Sequence, residues 1–463
     1  MNRTAGRLLA LTLAAWASAA SAQVQTDPDG LREIGARLLV QGEAARAAEL
    51  ALALLARDPD DLDALLLLAR ARLETEEFEE ALPPALRAHA LAGPGTARYL
   101  AARIVARAQA ELGRYTQSQI WLRIARQDAP DPRAIQAVAE DYRAVRQVNP
   151  LSVSLSFGLA PSSNVNGGTS AEVVWLYLPI FGGYIPTTPV GDALPLSGLR
   201  VSGGVSLSYR LREGDRSATF LTTDIQGETY ILSDEAKATA PEAEGSDYAD
   251  LAFSEGIVHR WQGEGASGPS ALRATVGKTW YGGEPYTRFA QVSYERAFVL
   301  DRDDRIDASV FADWTEREER ADDGEVFRDR FSSAGVRGRW THLRDGGDRT
   351  SLSLGLRDSL TELPDTTYTG VTAGLGYDWA RPVLGTHLGL GAEIDWRTYD
   401  ESFLEPAGRT DLRGTLRATV GLPRLEVWGF EPTVTVEASR TDSDADRIDR
   451  NALSLDLGFE STF

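Results

Sequence analysis

Hydrophobic and polar positions along this chain keep two different rhythms, and the change falls near Asn149-Pro150. From about residue 27 to 148, apolar residues recur at helical spacing in a background of Ala, Leu, Arg and Glu. After the junction, Gly, Thr, Ser, Tyr and Trp follow in period-two order with turn residues between segments. Pro150 stops the last helix and biases the residue before it towards an extended backbone. The stretch "LSVSLSFGLA" (151–160) puts Leu, Val, Leu, Phe and Leu on one face. Similar segments lie near 198–212, 217–229, 248–261, 271–281, 288–300, 305–317, 329–342, 350–361, 368–380, 386–398, 409–421, 429–441 and 450–463, fourteen in all. Short polar turns such as "REGDR" and "LDRDD" alternate with longer links such as "EREERADDGEVF" and the stretch 161–197. Ten-residue two-faced segments with this alternation predict a transmembrane β-barrel, since only closed barrels and helices satisfy their backbone in lipid. A soluble sandwich, which buries one face of each sheet dry, has no place for so many charged positions.

The helical part repeats itself. "GEAARAAELALALLARDP" (42–59) and "TEEFEEALPPALRAHALAGP" (75–94) align with Ala47 over Ala81, thirty-four residues apart, and Ser118 follows at thirty-seven. Gly35, Ala69 and Ala106 recur as the small residue of each first helix, and Pro59, Pro94 and Pro130 close the units. This resembles the tetratricopeptide repeat (TPR), although the aromatic expected early in each repeat is absent. Its implied inner face would carry Arg32, Arg70, Arg103 and Arg107. That row is a candidate site for an acidic client peptide, or else a solvated face of local Glu–Arg pairs. The expected fold class is therefore a short TPR-like α-solenoid followed by a 14-stranded antiparallel transmembrane β-barrel.

The ends of the chain add a location. Arg3 and Arg7, an apolar run of about ten residues and Ala20-Ser21-Ala22 have the layout of a secretory signal peptide over 1–22. The expected domains are then that leader, a periplasmic helical domain over 27–148 and an outer-membrane barrel over 150–463. In the final segment, "NALSLDLGFESTF", Leu453, Leu455, Leu457, Phe459 and Phe463 share one face. Phe459 and Phe463 are expected to mark barrel closure against the first strand. Phe463 also resembles the carboxy-terminal signal read by the barrel assembly machinery.

A net charge of −20 argues against a nucleic-acid partner, which would want a basic surface. The chain has no cysteine, so no disulfide supports the fold. Four histidines, at 89, 259, 342 and 387, lack metal-ligand spacing, and no nucleophile elbow or phosphate loop is present. No catalytic residue, metal or cofactor is expected. A Ser254–His259 hydrolase arrangement is a distant alternative. Arg210, Arg212, Glu255, Lys278, Arg337, Arg339, Glu393 and Arg417 are expected to face the lumen, a mixture of signs. Trp and Tyr at segment ends, including Tyr209, Trp280, Tyr281, Trp340, Tyr377, Trp379, Trp396 and Tyr399, suit interfacial girdles.

"NPLSVSLSFGLAPSSNVNGG", then "LPLSGLRVSGGVSLSYRL", and the ending from Trp428 resemble the surface lipoprotein assembly modulator family, called Slam. The stretch Ser163-Asn164-Val165-Asn166 is its most specific local feature. The resemblance implies a periplasmic TPR domain, a fourteen-stranded barrel and delivery of surface lipoproteins or small secreted proteins across the outer membrane. Implied partners are such a client, a periplasmic chaperone, the barrel assembly machinery and outer-membrane lipid. The chain departs from the family at Ser162, often Asp, and at Thr441-Asp442-Ser443-Asp444, where a second Ser-Asn is usual. The alternative function is an exopolysaccharide export pore with a TPR scaffold, a class that joins many more repeats to its barrel.

Overall fold

A computed structural model describes residues 27–178, 180–320 and 326–461. The leader over 1–22 and the Phe463 end therefore lie outside the described residues. The chain divides between Val148 and Asn149 into two compact units.

The first unit is a run of antiparallel helices: α1 (Pro28–Val40), α2 (Ala44–Arg57), α3 (Leu62–Glu74), α4 (Phe78–Leu91), α5 (Thr96–Glu111), α6 (Tyr115–Gln127) and α7 (Pro132–Val148). The starts of α1, α3 and α5 recur every thirty-four residues, the period seen in the sequence. Each turn inside a pair holds one residue in the left-handed region: Gly42 at φ +80°, Glu76 at +61° and Gly113 at +73°. Glycine relieves that conformation in the first and third turns, and Glu76 bears a steric cost in the second. Asp27 and Asp61 cap α1 and α3 by accepting from the Gly30 and Ala64 amides at 2.7 and 3.1 Å. Small residues sit where helices touch. Ala47, Ala69, Ala81 and Ala88 are fully buried, and a Cβ on Gly35 would collide with the Leu67 side chain.

The second unit is a closed barrel. Its strands are β1 (Leu151–Ser162), then, after a separate hairpin of β2 (Val174–Leu178) and β3 (Gly183–Thr187), β4 (Gly198–Gly214), β5 (Ser217–Leu232), β6 (Asp250–Trp261), β7 (Ser270–Tyr281), β8 (Glu284–Val299) and β9 (Asp304–Arg320). It continues through β10 (Val326–Leu343), β11 (Arg349–Ser359), β12 (Thr369–Asp378), β13 (His387–Tyr399), β14 (Arg409–Gly421), β15 (Phe430–Ser443) and β16 (Arg450–Ser461). Fourteen strands, all but β2 and β3, pair antiparallel with their neighbours, and β1 closes on β16 through Leu159–Leu457 and Ser162–Ser454. Every segment expected from alternation is a barrel strand, with ends shifted by a few residues. The hairpin and a short helix α8 (Asp234–Thr239) lie in links for which the sequence predicted no element.

Closure explains how so apolar a surface is tolerated. Leu155 and Leu416 on the outer face are 67% and 65% exposed, and such residues ring the barrel. Water would not tolerate a continuous band of that kind; hydrocarbon favours it, and no strand edge is left unpaired. The barrel is therefore of the outer-membrane type. Inside, glycines make room for rings: Gly277 pairs with Phe289 and Gly335 with Phe311, and a Cβ on Gly335 would lie 2.5 Å from the ring.

Strand register corrects five placements, one of them Tyr281, which pairs with Asp250 in the lumenal row of Glu228 and so leaves the expected girdle. Glu255 pairs with Thr223 and Val276, and Lys278 with Phe253 and Arg288, so both belong to the outer row of Ile257 and Val276. Arg212 lies past a bulge between Arg210 and Arg212, which moves it to the outer row beside Thr219. Tyr399 faces the lumen, with the Arg409 guanidinium 4.0 Å from its ring centre. One residue of slip inverts every side chain, which is why the parity fails at Arg212.

Candidate functional sites

Helices α1, α3, α5 and α7 line one groove of about 970 Å³ in the first unit, and it brings together Arg32, Arg70, Arg103 and Arg107. Leu39, Leu66, Leu100 and Ile104 give it an apolar lining. Three of the arginines are engaged. Arg32 donates to the buried Asp61 at 2.6 Å and also pairs with Asp29. Arg103 donates to Asp141 at 2.5 Å, and Arg107 faces Glu74 at 3.6 Å. Arg70 is exposed and makes no ion pair among the described residues. Local pairs hold three of the cations, as the solvated-face reading expects, and Arg70 lies in the apolar groove without an ion pair among the described residues. Burial would raise the Asp61 pKa, but the Arg32 hydrogen bond, the Ala64 amide and nearby Arg57 outweigh it and hold it below the usual value. No local pattern marks Asp61 or Asp141 as partners, because each lies about one repeat away from its arginine along the chain.

Ser163, Asn164, Val165 and Asn166 form a hydrogen-bonded knot on one barrel rim. The Asn166 amide donates to the Asp192 and Leu194 carbonyls at 2.6 and 2.9 Å, and its oxygen accepts from the Leu196 amide at 2.9 Å. Asn164 bridges to Gly168 in both directions, at 2.8 and 2.9 Å, and Val165 donates to the Leu196 carbonyl at 2.8 Å. Ser163 exchanges bonds with the Leu453 backbone on β16, beyond the last β1–β16 pair. Gly168 admits the approach, since a Cβ there would collide with the Leu194 carbonyl. Thr169 then ties the segment to the β15–β16 link through the Asp446 and Asp449 carbonyls, at 2.7 and 3.2 Å. These contacts between residues 277 or more positions apart leave no local signal in the sequence. The hairpin beyond the knot presents Ile180 and Phe181 to the exterior, and Tyr184 donates to Glu405 at 2.6 Å.

The lumen holds a cavity of about 930 Å³ lined by β6 to β13, including Arg337, Arg339 and Glu393. Its wall pairs opposite charges: Arg357 on β11 reaches over β10 to Asp313 on β9 at 3.2 Å, Arg417 and Glu437 pair across the adjacent β14 and β15 at 2.6 Å, and within β13 Arg397 meets Asp395 at 2.5 Å. Arg337 instead lies 4.5 Å from the Phe311 ring centre. Phe459 stands on the outer face of β16, opposite Pro432. Among the described residues no group of three His, Cys, Asp or Glu is placed to hold a metal ion.

Together these features define an outer-membrane β-barrel protein with a TPR-like helical region. No family model and no curated protein matches the chain. Among solved structures, the TPR2AB domain of yeast Sti1 in complex with pHSP90 is 22% identical, over 32% of this chain and 58% of that one, with a TM-score of 0.24. The match therefore spans little more than half of that structure. OccAB4 of Acinetobacter baumannii is 8% identical over 66% of this chain and 97% of its own, with a TM-score of 0.33. A bacterial polysaccharide outer membrane secretin gives 8%, 66%, 98% and 0.29.

Proposed function

We infer that this chain is an outer-membrane translocator or assembly factor of the Slam kind, with its helical unit in the periplasm. In this reading it delivers surface lipoproteins or small secreted proteins to the cell surface. The groove on α1, α3, α5 and α7 carries the inference: a channel for small solutes has no use for a peptide-sized apolar groove with a free cation. A client segment lays apolar side chains along Leu66, Leu100 and Ile104 and offers a carboxylate to Arg70, with Arg107 close by on the next repeat. A periplasmic chaperone delivers that client, and the barrel provides the route out. The cross-paired charges of the lumen support a protein client over an ionic polysaccharide, which would be steered by a field of one sign.

A photo-crosslinking residue placed in living cells at Leu100, and separately at Ser353 in the lumen, tests this. The same secreted or lipidated protein should be captured at both positions. Capture at Leu100 only, of proteins that never reach the surface, would contradict the translocation route.

A further inference from the structure

Charges on the outer face are scattered elsewhere, as at Arg212, Glu255 and the Arg440–Asp442 pair, but on β7 to β10 they gather in one pairing row. Across those four strands, Lys278 pairs with Arg288, Arg288 with Glu316, and Glu316 with Arg330. One step nearer the 321–325 link, Glu318 pairs with Arg328. The row below carries Val276, Ala290 and Trp314, and the next carries Ala274, Val292 and Ala312. The change from apolar to cationic is thus confined to the rim that bears the long links.

The cations are held outward. Glu316 is buried beneath them and accepts from Arg330 Nε at 2.8 Å, and Arg328 donates to Glu318 at 3.3 Å. Lys278 Nζ sits 4.9 Å from the Trp280 ring centre, which steadies the ammonium at the edge of the apolar band. Arg288, Arg328 and Arg330 are exposed. Four cations against Glu316, Glu318 and, one row below on β6, Glu255 still leave a positive patch on a chain of net charge −20. Adjacent strands lie about 4.8 Å apart, so the row from Lys278 to Arg330 spans roughly 14 Å.

We propose that this row binds the phosphorylated headgroup of an outer-leaflet glycolipid, one that carries two phosphates about a disaccharide apart. The inference rests on the proposed function: with the helical unit in the periplasm, β1 starts on that side and the 321–325 link falls outside the cell. Guanidinium forks match phosphate oxygens in pairs, and the ammonium of Lys278 adds a compact charge at one end of the row. A single glycerophospholipid phosphate reaches only part of a row this wide.

The test uses the full-length protein in detergent micelles, titrated with bis-phosphorylated lipid A and, separately, with phosphatidylglycerol. Lys278→Gln with Arg288→Gln leaves the Arg330–Glu316 bond intact, so folding is spared. At roughly fivefold per cation, the double variant should bind lipid A about twenty-five-fold more weakly. Arg440→Gln, an exposed outer-face position on β15, should bind as the wild type does. Lipid A should bind more tightly than phosphatidylglycerol. Unchanged affinity in the double variant, or equal binding of the two lipids by the wild type, would overturn the assignment. An epitope inserted in the 400–408 link reports orientation separately: inaccessibility in intact cells would refute the orientation, while the titration still decides whether the row binds lipid A.

Discussion

Reversing two charges in the helical groove separates client binding from folding. Arg70 makes no ion pair among the described residues, and the Arg107–Glu74 pair spans 3.6 Å with the Arg107 side chain 55% exposed. An exposed pair of that kind stabilises by less than about 1 kcal/mol. Arg70→Glu with Arg107→Glu should therefore lower the melting temperature of the helical unit by no more than about 4 °C. Binding is another matter. A hydrogen bond from a cation to a client carboxylate contributes about 1.5–3 kcal/mol, and reversal puts repulsion in its place. Two such positions amount to at least about 3 kcal/mol, a loss of affinity of a hundredfold or more. The assay is surface exposure of secreted and lipidated proteins on intact cells, beside the heat-modifiable mobility of the barrel on gels. The double variant should insert normally and leave its client inside the cell. Wild-type display by a normally inserted variant would remove the groove from the mechanism.

Three other perturbations probe the parts separately. Asp61→Ala removes the α3 cap and the Arg32 partner together, so the helical unit should lose about 2 kcal/mol, or about 8 °C by circular dichroism at 222 nm. Because the native Asp61 pKa is depressed, its contribution is present above the usual value of 3.8 and lost as pH falls through the lower native value; the gap between variant and wild type should close in acid and persist at neutral pH. Asn166→Ala deletes four hydrogen bonds of about 1 kcal/mol each, so chymotrypsin should cut at exposed Phe181 on the order of a thousandfold faster while the barrel stays heat-modifiable; an unchanged rate would mean that the knot does not hold the hairpin. Phe459→Asp, or deletion of Phe463, should reduce the amount of barrel in the outer membrane, since the first puts a carboxylate on the lipid face of β16 and the second removes the aromatic residue that the sequence offers as an assembly signal; wild-type assembly of both would refute these roles.

Much of this architecture is legible before any coordinates. The thirty-four-residue period announces the helix pairs because each pair needs a small residue at the same contact, as at Gly35, Ala69 and Ala106. Alternation finds the barrel strands because hydrocarbon outside and water inside impose opposite demands on successive side chains. What escapes is what depends on register. Glu255 and Lys278 look lumenal if charge alone assigns the face, yet pairing with Val276 and Phe253 puts them outside. Arg212 crosses faces at a bulge, for which the sequence carries no clear mark. The groove was half visible: repeat spacing collected its four arginines, but only the fold shows that Asp61, Asp141 and Glu74 face three of them and leave Arg70. The asparagines of the knot stand out as a motif, while their partners at Asp192, Leu194 and Leu196 belong to the far side of a long link.

Translocation is tested most directly by deleting the gene and measuring the surface proteome and the exported polysaccharide of the same cells. One or a few secreted or lipidated proteins should vanish from the surface and accumulate inside, with polymer output unchanged. Lost polymer together with an unaltered surface proteome would contradict translocation and assign the barrel to polysaccharide export.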